Sequence, residues 1–272
     1  MIRHSISPVS MFTSLWCNRS LVASLVKREV TGRYKGSILG ILWSFFNPVL
    51  MLAVYTFFFS VVFKSRWPGG SDSKTEFALI LFAGLMVFNL FAEIINRSPG
   101  LIHSNANYVK KVVFPLEILP WVTLGAALFH LAISFGVWLL FYVVFFGLPQ
   151  ISILMFPLIL SPLLLIALGI GWGLASLGVY LRDMSQIVGA LTPVILFLSP
   201  VFYPISNLPE KYKAMVYINP ITIPVEQARG VMVWGNGIDW ASWASYFLVA
   251  LIVAWIGFAW FQKTRKGFAD VL

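Results

Sequence analysis

Residues 38–63 form an unbroken apolar run, approached through a basic, glycine-spaced segment; from Arg33 the chain reads RYKGSILGILWSFFNPVLMLAVYTFFFSVVF. As a helix rising about 1.5 Å per residue, this run crosses a hydrocarbon layer of roughly 30 Å, a length that no helix in a soluble core needs. Backbone in lipid must satisfy its own hydrogen bonds, which limits a spanning chain to helices or a closed barrel; a run this long selects the helix.

Composition extends the constraint to the whole chain. Apolar residues make up 59% of 272 and charged residues 11%, with a mean hydropathy of +0.87, against about 25% charged in soluble proteins. Six long apolar segments are predicted, at 38–63, 77–96, 121–146, 152–181, 187–203 and 240–261. The expected fold is therefore an all-α integral membrane protein with six transmembrane helices and both termini on one side. Under that scheme 13 of the 19 Lys and Arg fall on the terminal side, and six (Lys64, Arg66, Lys74, Lys211, Lys213 and Arg229) on the other. The asymmetry orients the termini to the cytoplasm. Topology signalling and attraction to anionic lipid account for the basic pI of 9.8 without a nucleic-acid partner.

The lone cysteine, Cys17, excludes an internal disulfide and a thiolate metal cluster. The first 37 residues lack an apolar stretch ending in a small-residue cleavage site, so a retained cytoplasmic N-terminus is expected. Residues 11–30 pattern as an amphipathic interface helix on the membrane surface. Met11, Leu15, Val22, Leu25 and Val26 project to one side; Thr13, Ser20, Ser24, Lys27 and Arg28 project to the other. The domain plan is thus an interface segment at 1–37, a six-helix membrane domain at 38–262 and a cytoplasmic tail at 263–272.

Two connectors carry more information than a linker needs. From Asn96 to Trp121 the chain reads NRSPGLIHSNANYVKKVVFPLEILPW. Pro99 and Gly100 end one helix, Ser104 or Asn105 can cap the next, and Pro115 ends it, predicting a short helix near 104–113. Tyr108, Val109, Val112 and Phe114 with Lys110 and Lys111 would give it the surface of a docking knob for a soluble partner, or of an interfacial helix anchored on lipid. On the other side, Pro200, Pro204, Pro209, Pro220 and Pro224 break a stretch rich in Tyr, Phe and Trp up to Asp239. Short re-entrant helices at the outer interface satisfy that pattern and could form an exit gate.

The segments RYKGSILGILWSFFNPVL, NANYVKKVVFPLEILP, YLRDMSQIVG and SPVFYPISNLPEKYK, with YINPIT, closely resemble membrane subunits of bacterial polysaccharide ABC exporters, the ABC type 2 permeases of the O-antigen, capsule and teichoic-acid class. The resemblance covers nearly the whole chain in the same order. It implies a homodimer joined to two copies of a separate ATPase, moving an undecaprenyl-linked glycan outward between the two permeases. No GxxxxGK[ST] phosphate loop is present, so this chain is expected to bind no cofactor, with ATP and Mg on the partner ATPase. Carried over by motif, the segment up to Lys35 resembles the family's interface helix and Asn105–Phe114 its coupling helix. Arg182 and Asp183 resemble its second ATPase contact, and 204–239 its gate helices.

Chemistry then nominates residues. A glycan's CH faces suit aromatic walls, for which Tyr55, Phe58, Phe59, Trp138, Tyr142 and Tyr203 are candidates, although membrane aromatics also face lipid. A diphosphate linkage needs cations at the cytoplasmic mouth; Arg33 and Lys35 stand there, where they also serve as topology markers. Glu93 is the only acid inside a predicted span and sits one turn from Arg97, which can pair with it. His130 has no acid near it in sequence and reads as a packing hydrogen-bond donor. Gly32, Gly36 and Gly40, like Gly169 and Gly173, have the spacing of close helix approach. Pro48 and Pro193 are expected helix kinks. Paired catalytic carboxylates and repeated halves with buried ion-coupling groups are missing from the sequence, which disfavours an enzyme or a secondary carrier. Export of drugs or small lipids is the nearer alternative.

Overall fold

The computed structural model describes residues 5–58, 67, 74–110 and 114–272, and the described residues form helices and connecting turns. Four helices are long and apolar enough to cross a membrane: Thr75–Arg97, Leu116–Phe146, Ile151–Tyr180 and Trp240–Val271. Two shorter apolar helices, Gly40–Thr56 and Met184–Leu198, stand where the first and fifth spans are expected.

The axis of the bundle is α4 (Lys74–Arg97). Ile80, Leu81, Ala83, Val87 and Ile94 are completely enclosed, because α3 (Trp43–Thr56), α6 (Leu119–Phe146), α7 (Phe156–Tyr180) and α8 (Met184–Leu198) all pack around it. An apolar sequence alone does not hold helices together in lipid, where close packing and interhelical hydrogen bonds must do so. Trp138 on α6 supplies one such bond, its indole donating to the Leu79 carbonyl at 2.9 Å.

The tightest crossing joins α7 to α11 (Trp240–Thr264), whose N-terminus Asp239 caps by accepting from the Ala241 and Ser242 amides at 3.2 and 3.3 Å. A Cβ at Gly169 would stand 2.5 Å from the Val253 carbonyl oxygen, and one at Gly257 would strike the Gly169 carbonyl. Gly169 is thus a packing glycine whose partner lies 88 positions away in sequence; Gly173, expected to share the role, has no neighbour within 4 Å. Gly32, Gly36 and Gly40 are equally open. Gly36 (φ +87°) and Gly40 (φ +49°) instead supply left-handed turns between the surface helix and α3.

The N-terminal segment is two helices, α1 (Pro8–Cys17) and α2 (Arg19–Tyr34), because Asn18 (φ −105°, ψ 18°) breaks the expected continuous one. Its apolar side faces protein: Met11 is buried in the main core, and Val22 and Leu25 pack against Ile118 and Val122 at the start of α6. The C-terminal tail is also packed rather than free. After the turn Arg265–Gly267, α12 (Phe268–Val271) buries Phe268 against Phe261 and Tyr180.

On the expected outer side the proline-broken stretch forms α9 (Glu210–Ile218) and α10 (Thr222–Met232). Arg229 of α10 is fully enclosed. Its guanidinium donates to the carbonyls of Ile80 (3.1 Å), Pro200 (2.5 Å) and Val201 (2.5 Å), pairs with Glu226 at 3.3 Å, and lies 4.3 Å from the Trp67 ring centroid. This cation, which by sequence is only one of the outer-side charges, bolts α10 and the 200–201 turn to α4. Asn219 adds a second stitch, donating to Ser199 Oγ at 2.9 Å, while the Tyr246 hydroxyl donates to the Pro220 carbonyl at 2.5 Å.

Arg229→Met should destabilise the folded chain by about 2 kcal/mol or more, since it strands buried carbonyls; thermal unfolding in nanodiscs checks this. Gly257→Ala should lower the midpoint in the same assay, because its methyl meets backbone that only a shift of α7 can relieve.

Candidate functional site

A cavity of 1070 Å³ opens between α2, α3, α4 and α6. Its wall changes character along α4. At one end stand Glu93, Asn96 and Arg97 with Glu29 and Arg33 of α2; Asn47 and Asn89 follow; Met51, Tyr55, Phe82 and Met86 line the other end. From Phe82 to Arg97 the helix covers about 22 Å, so one wall offers a charged mouth and an apolar interior.

The mouth is a ladder of ion pairs. Glu29 and Arg33 are one turn apart on α2, and Glu93 and Arg97 are one turn apart on α4. The pairs cross: Arg33 Nη1 donates to Glu93 Oε1 at 2.7 Å, and Arg97 to Glu29. The expected pairing of Arg97 with Glu93 is present at 3.4 Å as one of three ion pairs among these four residues. His130 is not merely a packing donor. Its Nδ1 lies 2.9 Å from both Glu93 oxygens, its Nε2 lies 3.2 Å from the Tyr34 hydroxyl, and the acid it meets comes from a different helix.

Of the nominated residues, Arg33, Tyr55 and Pro48 line the cavity; Lys35 is exposed and does not. Trp138 is wholly buried and belongs to the core, with Tyr142 stacked on it at 4.9 Å and in turn against Phe146. Phe58 is exposed beside Phe57, and Tyr203 is half-buried away from the cavity. Pro48 and Pro193 lie inside α3 and α8, where each lacks the N–H that would bond one turn back; Pro162 does the same in α7. Phe59 and Lys111 lie outside the described residues.

The expected knob contains α5 (Ala106–Val109), preceded by a tight turn at His103–Asn105. Asn105 donates to the Leu101 carbonyl at 2.9 Å. Tyr108 and Phe114 do not project as free anchors: their rings stack at 4.2 Å, and Arg28 of α2 donates to the Tyr108 hydroxyl at 2.5 Å. Lys110 is exposed, as are Arg182 and Asp183 between α7 and α8. The His103 ring lies 3.1 Å from the Gly178 carbonyl at the end of α7, so both surfaces sit at the same end of the bundle.

A second ion pair ties that end together. Arg265, past the end of α11, donates to Glu117 Oε2 at 2.6 Å and to Gln262 at 3.0 Å, while Ser14 of α1 donates to Glu117 Oε1 at 3.4 Å. Neither Glu117 nor Arg265 stands out in sequence. The matched i,i+4 pairs Glu29/Arg33 and Glu93/Arg97 are visible in sequence, but that they meet is not, since α2 packs along α6 and reaches α4 through these side chains.

These features define a helical membrane protein in which the N-terminal α2 closes over a cavity with a charged mouth. The chain belongs to the ABC-2 type transporter family, whose sequence pattern matches residues 20–233. It is similar to the O-antigen export system permease protein RfbA of Myxococcus xanthus, 26% identical over 264 residues, with 96% of this chain and 99% of that protein covered. RfbA of Klebsiella pneumoniae is 26% identical over 254 residues, covering 93% and 95%. The polysialic acid transport protein KpsM of Escherichia coli is 25% identical over 248 residues, covering 90% and 93%.

The side chains of Arg265 and Glu117 are only 10% and 15% exposed. Glu117→Gln should therefore cost about 3 kcal/mol by stranding the guanidinium, and adding Arg265→Met should recover part of it; a double-mutant cycle on thermal unfolding measures the coupling.

Proposed function

We propose that this chain is the membrane permease subunit of an ATP-driven exporter that moves undecaprenyl-linked polysaccharide, with O-antigen first among the substrates, from the cytoplasm to the outer face of the inner membrane. End-to-end similarity to proteins named as O-antigen and polysialic acid transporters carries the reading. The cavity supports it, since a charged mouth leading to an apolar interior suits an amphiphile with an anionic head.

In this reading α3 and α8 are the first and fifth of six spans, residues 38–262 form the membrane domain, and both termini are cytoplasmic. Two copies pair across a translocation channel and each binds one ATPase subunit, which carries ATP and Mg and performs the hydrolysis. Exposed Lys110, with Lys111, Asn105, Arg182 and Asp183, meets the ATPase. Tyr108 and Phe114 act one layer behind, relaying its movement into α2 through Arg28. Arg33 receives the diphosphate, and Tyr55 faces the passing lipid or sugar. The helices between 204 and 239 gate the outer end, with α10 as the fixed part and α9, where Val216 is the buried side chain, as the part free to move.

Deleting the gene should trap lipid-linked glycan inside the cell, and wild type should restore it to the surface. Unchanged surface glycan would overturn the polysaccharide reading in favour of small-lipid or drug export. Lys110→Glu should reduce export at unchanged protein level and lower co-purification of the ATPase.

A further inference from the structure

We infer that Arg33 and Arg97 form a receptor for a diphosphate group, and that Glu29 and Glu93 fill it as internal substitutes that latch α2 to α4 until the anion displaces them. The inference rests on the exporter reading for the source of the diphosphate, and adds to it a second cation, two competing carboxylates and a holding place for one of them.

Arg33 Nη1 and Arg97 Nη1 lie 2.7 and 3.4 Å from the same oxygen, Glu93 Oε1, so the two guanidiniums can be no further apart than those distances allow. Two cations converging in this way repel each other unless an anion stands between them. A guanidinium fork matches phosphate oxygens in paired hydrogen bonds, and two forks side by side match two linked phosphates. In the present state the anions are the chain's own: two carboxylates balance two guanidiniums. The site is accessible, with the Arg33 and Arg97 side chains 52% and 34% exposed, and it opens onto the cavity whose far end is apolar.

Displacement also needs somewhere for the carboxylates to go. His130 Nδ1, 2.9 Å from both oxygens of Glu93, can keep that side chain when the arginines leave, and Tyr34 steadies the ring from its other nitrogen at 3.2 Å. Glu29 stands at the rim and can turn to water. Releasing these rungs loosens α2 from α4, and α2 is the helix whose Arg28 holds Tyr108. Occupancy of the mouth is thereby communicated to the surface assigned to the ATPase, a switch built from one set of charges with two alternative partners.

A ladder that only braced two helices would behave oppositely to a latch when its acids are neutralised. Binding of inorganic pyrophosphate to the full-length chain in nanodiscs, followed by calorimetry with orthophosphate as control, separates the two. The latch requires Glu29→Gln and Glu93→Gln to tighten pyrophosphate binding by about tenfold, and Arg97→Gln and Arg33→Gln to weaken it by about tenfold or more, the scale of one charge-assisted hydrogen bond. Unchanged or weaker binding in folded Glu29→Gln, which lies at the rim and spares His130, overturns the inference, as does wild-type binding by Arg97→Gln. Nanodiscs doped with a polyprenyl diphosphate identify the source: loss of the pyrophosphate signal marks a lipid head group, and its persistence marks a soluble diphosphate. Surface glycan in the deletion strain is scored separately. Intact glycan with this binding pattern refutes the exporter reading and keeps the receptor; trapped glycan without the pattern does the reverse.

Discussion

Arg229 carries a full charge into the interior of the bundle, and the chain around it is arranged to answer that charge. The bare cost of moving a guanidinium out of water is far larger than any one hydrogen bond returns, so such a group persists only when carbonyls, a carboxylate and an aromatic face converge on it. Here they come from α4, from the 200–201 turn, from Glu226 one turn back and from Trp67. A proline-broken segment cannot complete its own backbone pairing at membrane depth. The arginine converts its loose turns into a cap fixed on the central helix, and Gly84 on α4 leaves the room the guanidinium occupies.

The same rule, that charge in an apolar bundle must find charge, places the cavity. Glu93 would be intolerable on α4 among lipid-facing helices. With Arg33, Arg97 and His130 around it, the region between α2, α3, α4 and α6 becomes polar at one end and stays apolar at the other. Since the partners come from a surface helix as well as from α4, the wall of the cavity depends on where α2 lies. Close backbone contact at Gly169 and Gly257 makes α7 and α11 the rigid side of the molecule, whereas α3 and α8, shorter and interrupted by Pro48 and Pro193, present exposed apolar faces.

Much of the architecture was legible in the chain. Length and hydropathy located four long helices to within a few residues, as with 77–96 against Lys74–Arg97 and 121–146 against Leu119–Phe146, because a membrane rewards unbroken apolar runs and punishes their absence; at the expected 187–203 the helix is the shorter Met184–Leu198. Breaks at Pro99 and Pro204 were equally plain, since proline acts locally, whereas the short helix expected near 104–113 is only Ala106–Val109 among the described residues. Candidate aromatics were the weakest part. Trp138 and Tyr55 are alike in sequence, each an aromatic in an apolar run, yet one donates its indole proton inside the core and the other faces the cavity. Which side of a uniformly apolar helix turns inward is set by the neighbouring helices, and no periodicity records it.

By itself, then, the sequence determined that the chain is a helical membrane protein, roughly where its helices begin and end, and, through motif order, the family it resembles. Only the tertiary structure decided that Glu29 and Arg33 meet Glu93 and Arg97, that His130 has an acid, that Glu117 finds Arg265, and that Arg229 is a buried bolt and not an exposed topology charge. The reason is physical. Helix formation in lipid follows from local backbone hydrogen bonding and side-chain transfer energies, which each segment carries with it. The partner of a buried charge is fixed by contacts between segments 28 to 149 positions apart, and those exist only once the helices have packed.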